Sequence, residues 1–220
     1  MTKSDRQRPG YNTQDSYTDQ PEKIAGQKTR KAVEQARKAA KEAQRSAREA
    51  KEAAGQAKAA VEHVKVDRYL QDIANAFSNQ DYDGAVHKAT EALSAEPQNM
   101  VLPFVYSQAL FARQQYSKAA GVLRKVMAKV DVEQQGVFYS LGFYPDKTVL
   151  NRQIEILTEA VSADSDNASL QLVLGYQLLG VGKYDQALEA LKVARKDYVN
   201  KEAAEVLMQV LEKARQQSDQ

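Results

Sequence analysis

Side chains that could do chemistry are few in this chain of 220 residues. It contains no cysteine, which removes thiolate nucleophiles, thiolate metal sites and disulfides. The two histidines, His63 and His87, are far apart along the chain without an HExxH spacing, and both read as exposed helix residues. Residues 179–183, Leu-Gly-Val-Gly-Lys, are the nearest approach to a phosphate-binding loop. That loop needs a glycine five positions before Gly182 and a hydroxyl after the lysine, where this chain has Gln177 and Tyr184. Asp164, Ser165, Asp166 and Asn167 offer alternating oxygens but lack the glycine and distal glutamate of a calcium loop. Asn167, Ala168 and Ser169 form a glycosylation sequon that matters only in an exported chain. The sequence therefore predicts a protein that is not an enzyme, with no catalytic residue, no cofactor and no metal site.

What the chain does carry is a period. Phe77, Tyr82 and Ala85 return as Phe111, Tyr116 and Ala119 at one constant offset of 34, and Tyr184 and Ala187 follow Tyr116 and Ala119 at twice that offset. The doubled interval implies a further repeat with a blurred turn between them, with Ala160 standing one period before Ala194. A fixed period of this size is the length of one helix-turn-helix unit, and stacked units make an α-solenoid.

Residues 174–191, LGYQLLGVGKYDQALEAL, give the pattern in full. Leu174 and Gly175 mark a close helix contact, Gly182 lies in the turn with Tyr184 after it, and Ala187 faces the partner helix. This segment resembles a tetratricopeptide repeat, and the resemblance extends over residues 67–201. Residues 67–99 keep Leu70, Ile73, Ala74, Phe77, Ala85, Ala92 and Pro97 but lack the turn glycine, and residues 100–133 have the same turn in ARQQYSKA. Residues 134–167 keep Leu141, Gly142 and Ala160, yet place Pro145 and Asp146 where a first helix should still run. The resemblance implies an all-α, right-handed solenoid of about four repeats (67–99, 100–133, 134–167 and 168–201), closed by a capping helix over 202–220. In the cap Ala204, Leu207, Met208 and Leu211 form one apolar face.

Two segments precede the repeats. Residues 1–21 are polar, balanced in charge and interrupted by Pro9, Gly10 and Pro21, so they are expected to be a disordered tail. Residues 22–66 are rich in Ala, Lys, Glu, Gln and Arg, all strong helix formers. This arm carries twelve basic and six acidic groups, whereas residues 67–220 carry sixteen and twenty. Val33, Ala36, Ala40, Ala43, Ala47, Ala50, Ala54, Ala57, Val61 and Val64 fall at alternating spacings of three and four, a heptad seam made mostly of alanine. Such a helix can self-associate, dock on another helix, lie on an anionic membrane or nucleic acid, or act as a solvated spacer. The seam has no Leu, Phe or Trp to insert in a bilayer and no aromatic side chain interleaved for base stacking, which disfavours membrane and nucleic acid. No apolar run reaches the length of a membrane span and residues 1–20 have no apolar signal core, so a cytoplasmic protein is the expectation.

In tetratricopeptide repeat proteins the ligand lies against the first helix of each repeat. The resemblance places Arg68, Gln71 and Asn75, then Val105, Ala109 and Arg113, then Tyr139 and Phe143, then Leu172 and Tyr176 on that inner face. The lysine and asparagine clamp with which some relatives grip a C-terminal carboxylate is missing apart from Asn75. The expected function is a scaffold that binds a protein or peptide partner, in the form of a helical or extended apolar segment. The alternative is a peripheral adaptor held on an anionic surface by its basic arm.

Overall fold

The computed structural model describes residues 20–133 and 137–218, so the tail expected over 1–21 falls, but for its last two positions, outside the described residues. By internal packing the chain divides into two units, Met1–Val61 and Glu62–Gln220. The helix α1 (Gln20–Ser78) runs without interruption from one unit into the next, as the lack of a breaker near residues 66–69 suggests.

In the first unit helix propensity and local ion pairs maintain α1. Pairs such as Glu34 with Lys38 at 3.2 Å, Arg45 with Glu49 at 2.8 Å and Arg48 with Glu52 at 2.9 Å lie one turn apart. Each contributes only a few tenths of a kcal/mol. The seam itself is solvated: Val33 is 61% exposed and Val61 57%.

The second unit is built on one turn used three times. Gln114 stands one period after Gln80, and Gly182 two periods after Gln114; among the described residues these three alone have positive φ, at 55° for Gln80, 58° for Gln114 and 76° for Gly182. Each sits in the same pair of backbone hydrogen bonds. The amides of Gln80, Gln114 and Gly182 donate to the carbonyls of Phe77, Phe111 and Leu179, and those of Asp81, Gln115 and Lys183 donate to Ala76, Leu110 and Leu178. This left-handed closure satisfies carbonyls that a helix end leaves open. Glycine adopts it freely and glutamine does so at a cost, so the geometry of the turn persists where the sequence lacks glycine.

The turns join the end of α1 to α2 (Tyr82–Ala95), α3 (Leu102–Ala112) to α4 (Tyr116–Met127), and α6 (Ala168–Gly180) to α7 (Tyr184–Ala194). Ala85, Ala119 and Ala187 are fully buried just after them. A Cβ on Gly175 would come within 2.6 Å of the Leu191 side chain and 3.4 Å of the Ala187 carbonyl oxygen. At the matching position, two periods earlier, Ser107 Oγ donates to the Ala119 carbonyl at 3.2 Å. The small residues therefore lie where two helices cross closely, and the α-solenoid is the fold of this unit.

Residues 134–167 differ from expectation. They do not contain a second helix pair: residues 137–140 are irregular, Leu141–Phe143 is one 3-10 turn, and a single helix follows, α5 (Lys147–Ala163). Two periods after Gln80 the chain has reached Thr148, inside the first turn of α5 rather than in an inter-helix turn. Leu141 and Gly142 are exposed, and a Cβ on Gly142 would meet nothing, so they mark no crossing. Pro145 ends the irregular segment, and Asp146 caps α5 by accepting the Thr148 amide at 2.8 Å. Meanwhile α6 packs directly on α4, taking the place of the missing first helix. The stack is continuous in space and interrupted in sequence by residues 134–167.

The last helix, α8 (Lys201–Ser218), packs on α7, α4 and α6, burying Ala203, Ala204, Leu207 and Leu211. Arg124 Nη1 donates to Asn200 Oδ1 at 2.9 Å, and Lys213 Nζ lies 2.7 Å from Glu133.

Candidate functional site

An open ligand groove requires its first helices to leave one face uncovered. Here α3 is buried over 102 and 104–112 apart from the half-buried Tyr106, and α6 is buried over 171–179 without a break. No amphipathic pattern remains on either helix because, apart from the edge of α3 at Pro103 and Tyr106, nearly every side has a neighbour. On the inner side that neighbour is the interrupting segment itself.

Its aromatic residues seat it. The Tyr139 ring stacks on Tyr176 with centroids 5.1 Å apart, and Tyr176 stacks in turn on Phe104 at 6.3 Å. A Cβ on Gly180 would approach the Tyr139 ring to 2.6 Å, so the glycine provides room for the ring. The Tyr176 hydroxyl donates to the Phe138 carbonyl at 2.5 Å. Phe143 and Tyr144 close on Phe77 of α1, with centroids at 5.8 and 5.2 Å. Then α5 packs along α6 through Leu150, Ile154, Leu157 and Val161, an apolar stripe at helical spacing.

A buried polar chain runs through the contact. Gln108 Nε2 donates to the Tyr144 hydroxyl at 2.8 Å, and that hydroxyl donates to Gln153 Oε1 at 2.8 Å. Gln177 Nε2 donates to Gln108 Oε1 at 3.0 Å, and Gln177 Oε1 accepts from the Gln108 amide at 3.3 Å. Desolvation raises the phenols of Tyr139, Tyr144 and Tyr176 well above the usual tyrosine range, so they act as neutral donors and acceptors. Two hydroxyls in the segment, Tyr139 OH and Ser140 Oγ, are buried with no hydrogen-bond partner among the described residues.

The residues expected on the inner face thus separate into three groups. Arg68, Gln71, Asn75 and Arg113 are exposed, with Gln71 Nε2 donating to Asn75 Oδ1 at 3.1 Å and Arg113 paired to Asp83 at 2.8 Å. Val105, Ala109, Leu172 and Tyr176 are at most 1% exposed and offer no surface to a partner in this conformation. Tyr139 and Phe143 do lie at the inner face, but as parts of the segment that covers it rather than of its wall. Sequence reasoning missed Gln108, Tyr144, Gln153 and Gln177. The signal was available for Gln108 and Gln177, which are amides inside otherwise apolar helices and so require a buried partner. Among the described residues no cluster of metal ligands occurs, and no helix is long and apolar enough to cross a membrane.

Comparison with known proteins agrees with the repeat geometry. The tetratricopeptide repeat family profile matches residues 76–135, the stretch that holds the turns at Gln80 and Gln114. No curated protein matches the chain. Among solved structures a similar one is the Sgt2 TPR domain from Aspergillus fumigatus, 18% identical, covering 69% of this chain and 82% of that one with a TM-score of 0.30. The threefold turn and the buried alanine crossings make the second unit a solenoid of helix-turn-helix repeats, and residues 76–135 of it match the tetratricopeptide repeat family.

Proposed function

We propose that this protein is a non-enzymatic protein-interaction scaffold whose inner face takes an apolar amphipathic helix, in the place that residues 138–161 hold. One observation carries this reading. The inner wall of α6 is already complementary to a helix with apolar residues at i, i+4, i+7 and i+11, because α5 packs along it with Leu150, Ile154, Leu157 and Val161 buried. Helix-in-groove recognition uses this same arrangement of anchors. Two further features support an occupant that can leave. Tyr139 OH and Ser140 Oγ are unpaired in the seat, each costing about 1–3 kcal/mol that solvent would return, and the Gln108–Gln177 pair would keep its own reciprocal bonds.

The test uses a fluorescein-labelled peptide of residues 137–163 added to the full chain and to a variant with Leu150→Asp and Ile154→Asp. The variant should bind the peptide at least about tenfold more tightly than the wild type, whose seat is filled in cis. A folded variant that ignores the peptide would sink the reading. Tyr144→Ala provides a second, milder release should the double variant melt.

A second reading concerns the arm. Its seam remains exposed along residues 30–61, which supports association with a helix of a second copy or with an anionic surface. Ala47→Glu with Ala54→Glu should abolish either. Salt separates them, since six excess positive charges per arm repel in a parallel pair, and screening strengthens self-association while weakening contact with an anionic surface. Unchanged sedimentation under salt and mutation would leave the arm a spacer.

A further inference from the structure

Beyond the filled inner face, the solenoid has an open concavity at the edge where α2 and α4 end and α3 begins. It is a cleft of about 310 Å³, the size at which small-ligand and side-chain sites begin. Leu93, Met100, Tyr106 and Val122 line it half-buried over a buried Val126, and no element of the described chain covers them. The loop that forms one wall is fixed before any ligand arrives. Asn99 Oδ1 accepts the amides of Val101 and Leu102 at 2.8 and 3.1 Å, and Pro97 and Pro103 restrict the backbone on either side.

The rim has one sign of charge. Lys125 lies in the last turn of α4 and Lys129 in the turn that follows it, both exposed, and no acidic residue is among the lining. Among the described residues neither lysine forms an ion pair, although Lys192 and Lys213 on the same unit do. Lysines near a helix C-terminus favour its dipole, which accounts for their sign but not for the uncovered apolar floor beside them. This is a positive rim in a repeat region whose net charge is acidic. It also argues against the basic arm of a second copy as occupant, since like charges would meet.

We propose that this cleft docks a short extended peptide with a large aliphatic anchor flanked by carboxylates. The aliphatic side chain fills the space between Met100 and Val122, and the carboxylates meet Lys125 and Lys129. The site is formed by residues 93–129 alone and does not depend on whether α5 leaves its seat.

Three labelled hexapeptides test it by fluorescence anisotropy on the full chain: Glu-Asp-Leu-Leu-Glu-Asp, the same with serines for leucines, and Lys-Arg-Leu-Leu-Lys-Arg. The first should bind, and the other two should bind about tenfold more weakly or not at all. Lys125→Glu with Lys129→Glu should reverse the preference between the acidic and basic leucine peptides, and Met100→Gln should weaken the first alone. Raising salt from low to moderate should reduce its affinity several-fold. Equal binding of the serine peptide would reduce the contact to diffuse electrostatics and overturn the proposal. So would equal binding of the basic peptide, indifference to the lysine substitutions, or no binding of the first peptide at millimolar concentration.

Discussion

Residues 100–133 and 134–167 are adjacent and equal in length, but only the first folds as a helix pair. In the first, Gln114 takes a positive φ of 58°, two backbone bonds close the turn, and Ala119 is fully buried at the crossing. In the second, the slot for that turn falls in the first turn of α5, and the Leu141–Gly142 pair that matches Leu174–Gly175 stands in solvent. The decisive element is where the breakers lie. Pro145 removes an amide and restricts residue 144 to extended backbone, and Asp146 then starts a new helix at the point where an old one should be ending. A Leu-Gly pair denotes a crossing only when a turn in the same phase of the repeat brings the second helix back over it.

Substitution at the two kinds of alanine gives the largest expected contrast. Ala187→Leu forces a branched chain into the contact between α7 and Gly175 and should cost about 1–3 kcal/mol. Ala160→Leu, on half-buried α5, should stay within about 0.5 kcal/mol. Urea midpoints of the two variants check the pair; similar losses would mean that α5 is packed as tightly as a true repeat helix.

Next in size is Tyr144→Phe, which keeps the ring on Phe77 but removes the hydroxyl between Gln108 and Gln153. A loss of about 1–2 kcal/mol is expected. Hydrogen exchange should speed up over residues 147–163 and remain slow in α4. The same hydroxyl has a pH signature. Burial raises the folded phenol above its unfolded value near 10, so its contribution is complete below pH about 10 and is lost as pH rises beyond it. Alkali should therefore loosen α5 before the helix pairs, and Tyr144→Phe should remove part of that pH dependence. Coincident alkaline melting of α5 and α4 by exchange would contradict this.

The smallest effects test the shared turn. Gln114→Gly should stabilise by several tenths to about 1 kcal/mol by relieving the left-handed backbone, and Gly182→Ala should destabilise by about the same. Thr148→Gly, at the corresponding slot of the interrupting segment, should instead cost about 0.5–1 kcal/mol as an ordinary helix position. Thermal melts order the three, and a gain at residue 148 would place a hidden turn there.

The period read from Phe77, Tyr82 and Ala85 located every alanine crossing and the three turns, because close crossings admit few residue types. It also implied a repeat between Tyr116 and Tyr184, since arithmetic on spacing cannot distinguish a blurred repeat from an insertion of the same length. Pro145 and Asp146 were visible warnings. The inner face was less legible. Alignment put Leu172 and Tyr176 on that face, but whether such positions are open depends on a contact with residues 138–161, between segments whose sequences do not identify each other. The amides Gln108 and Gln177 indicated a buried partner without naming Tyr144.

On the function proposed above, seating α5 within its own chain would set a threshold for an outside helix. A tethered helix is present at millimolar effective concentration, far above most partners in solution. If α5 is out of its seat in about one molecule in a hundred, a partner with an intrinsic dissociation constant of about 1 μM would register as about 100 μM. Weak and accidental helices would thereby be rejected by competition with α5 alone. Abundant ligands, or those that also grip a second patch of the scaffold, would gain the advantage.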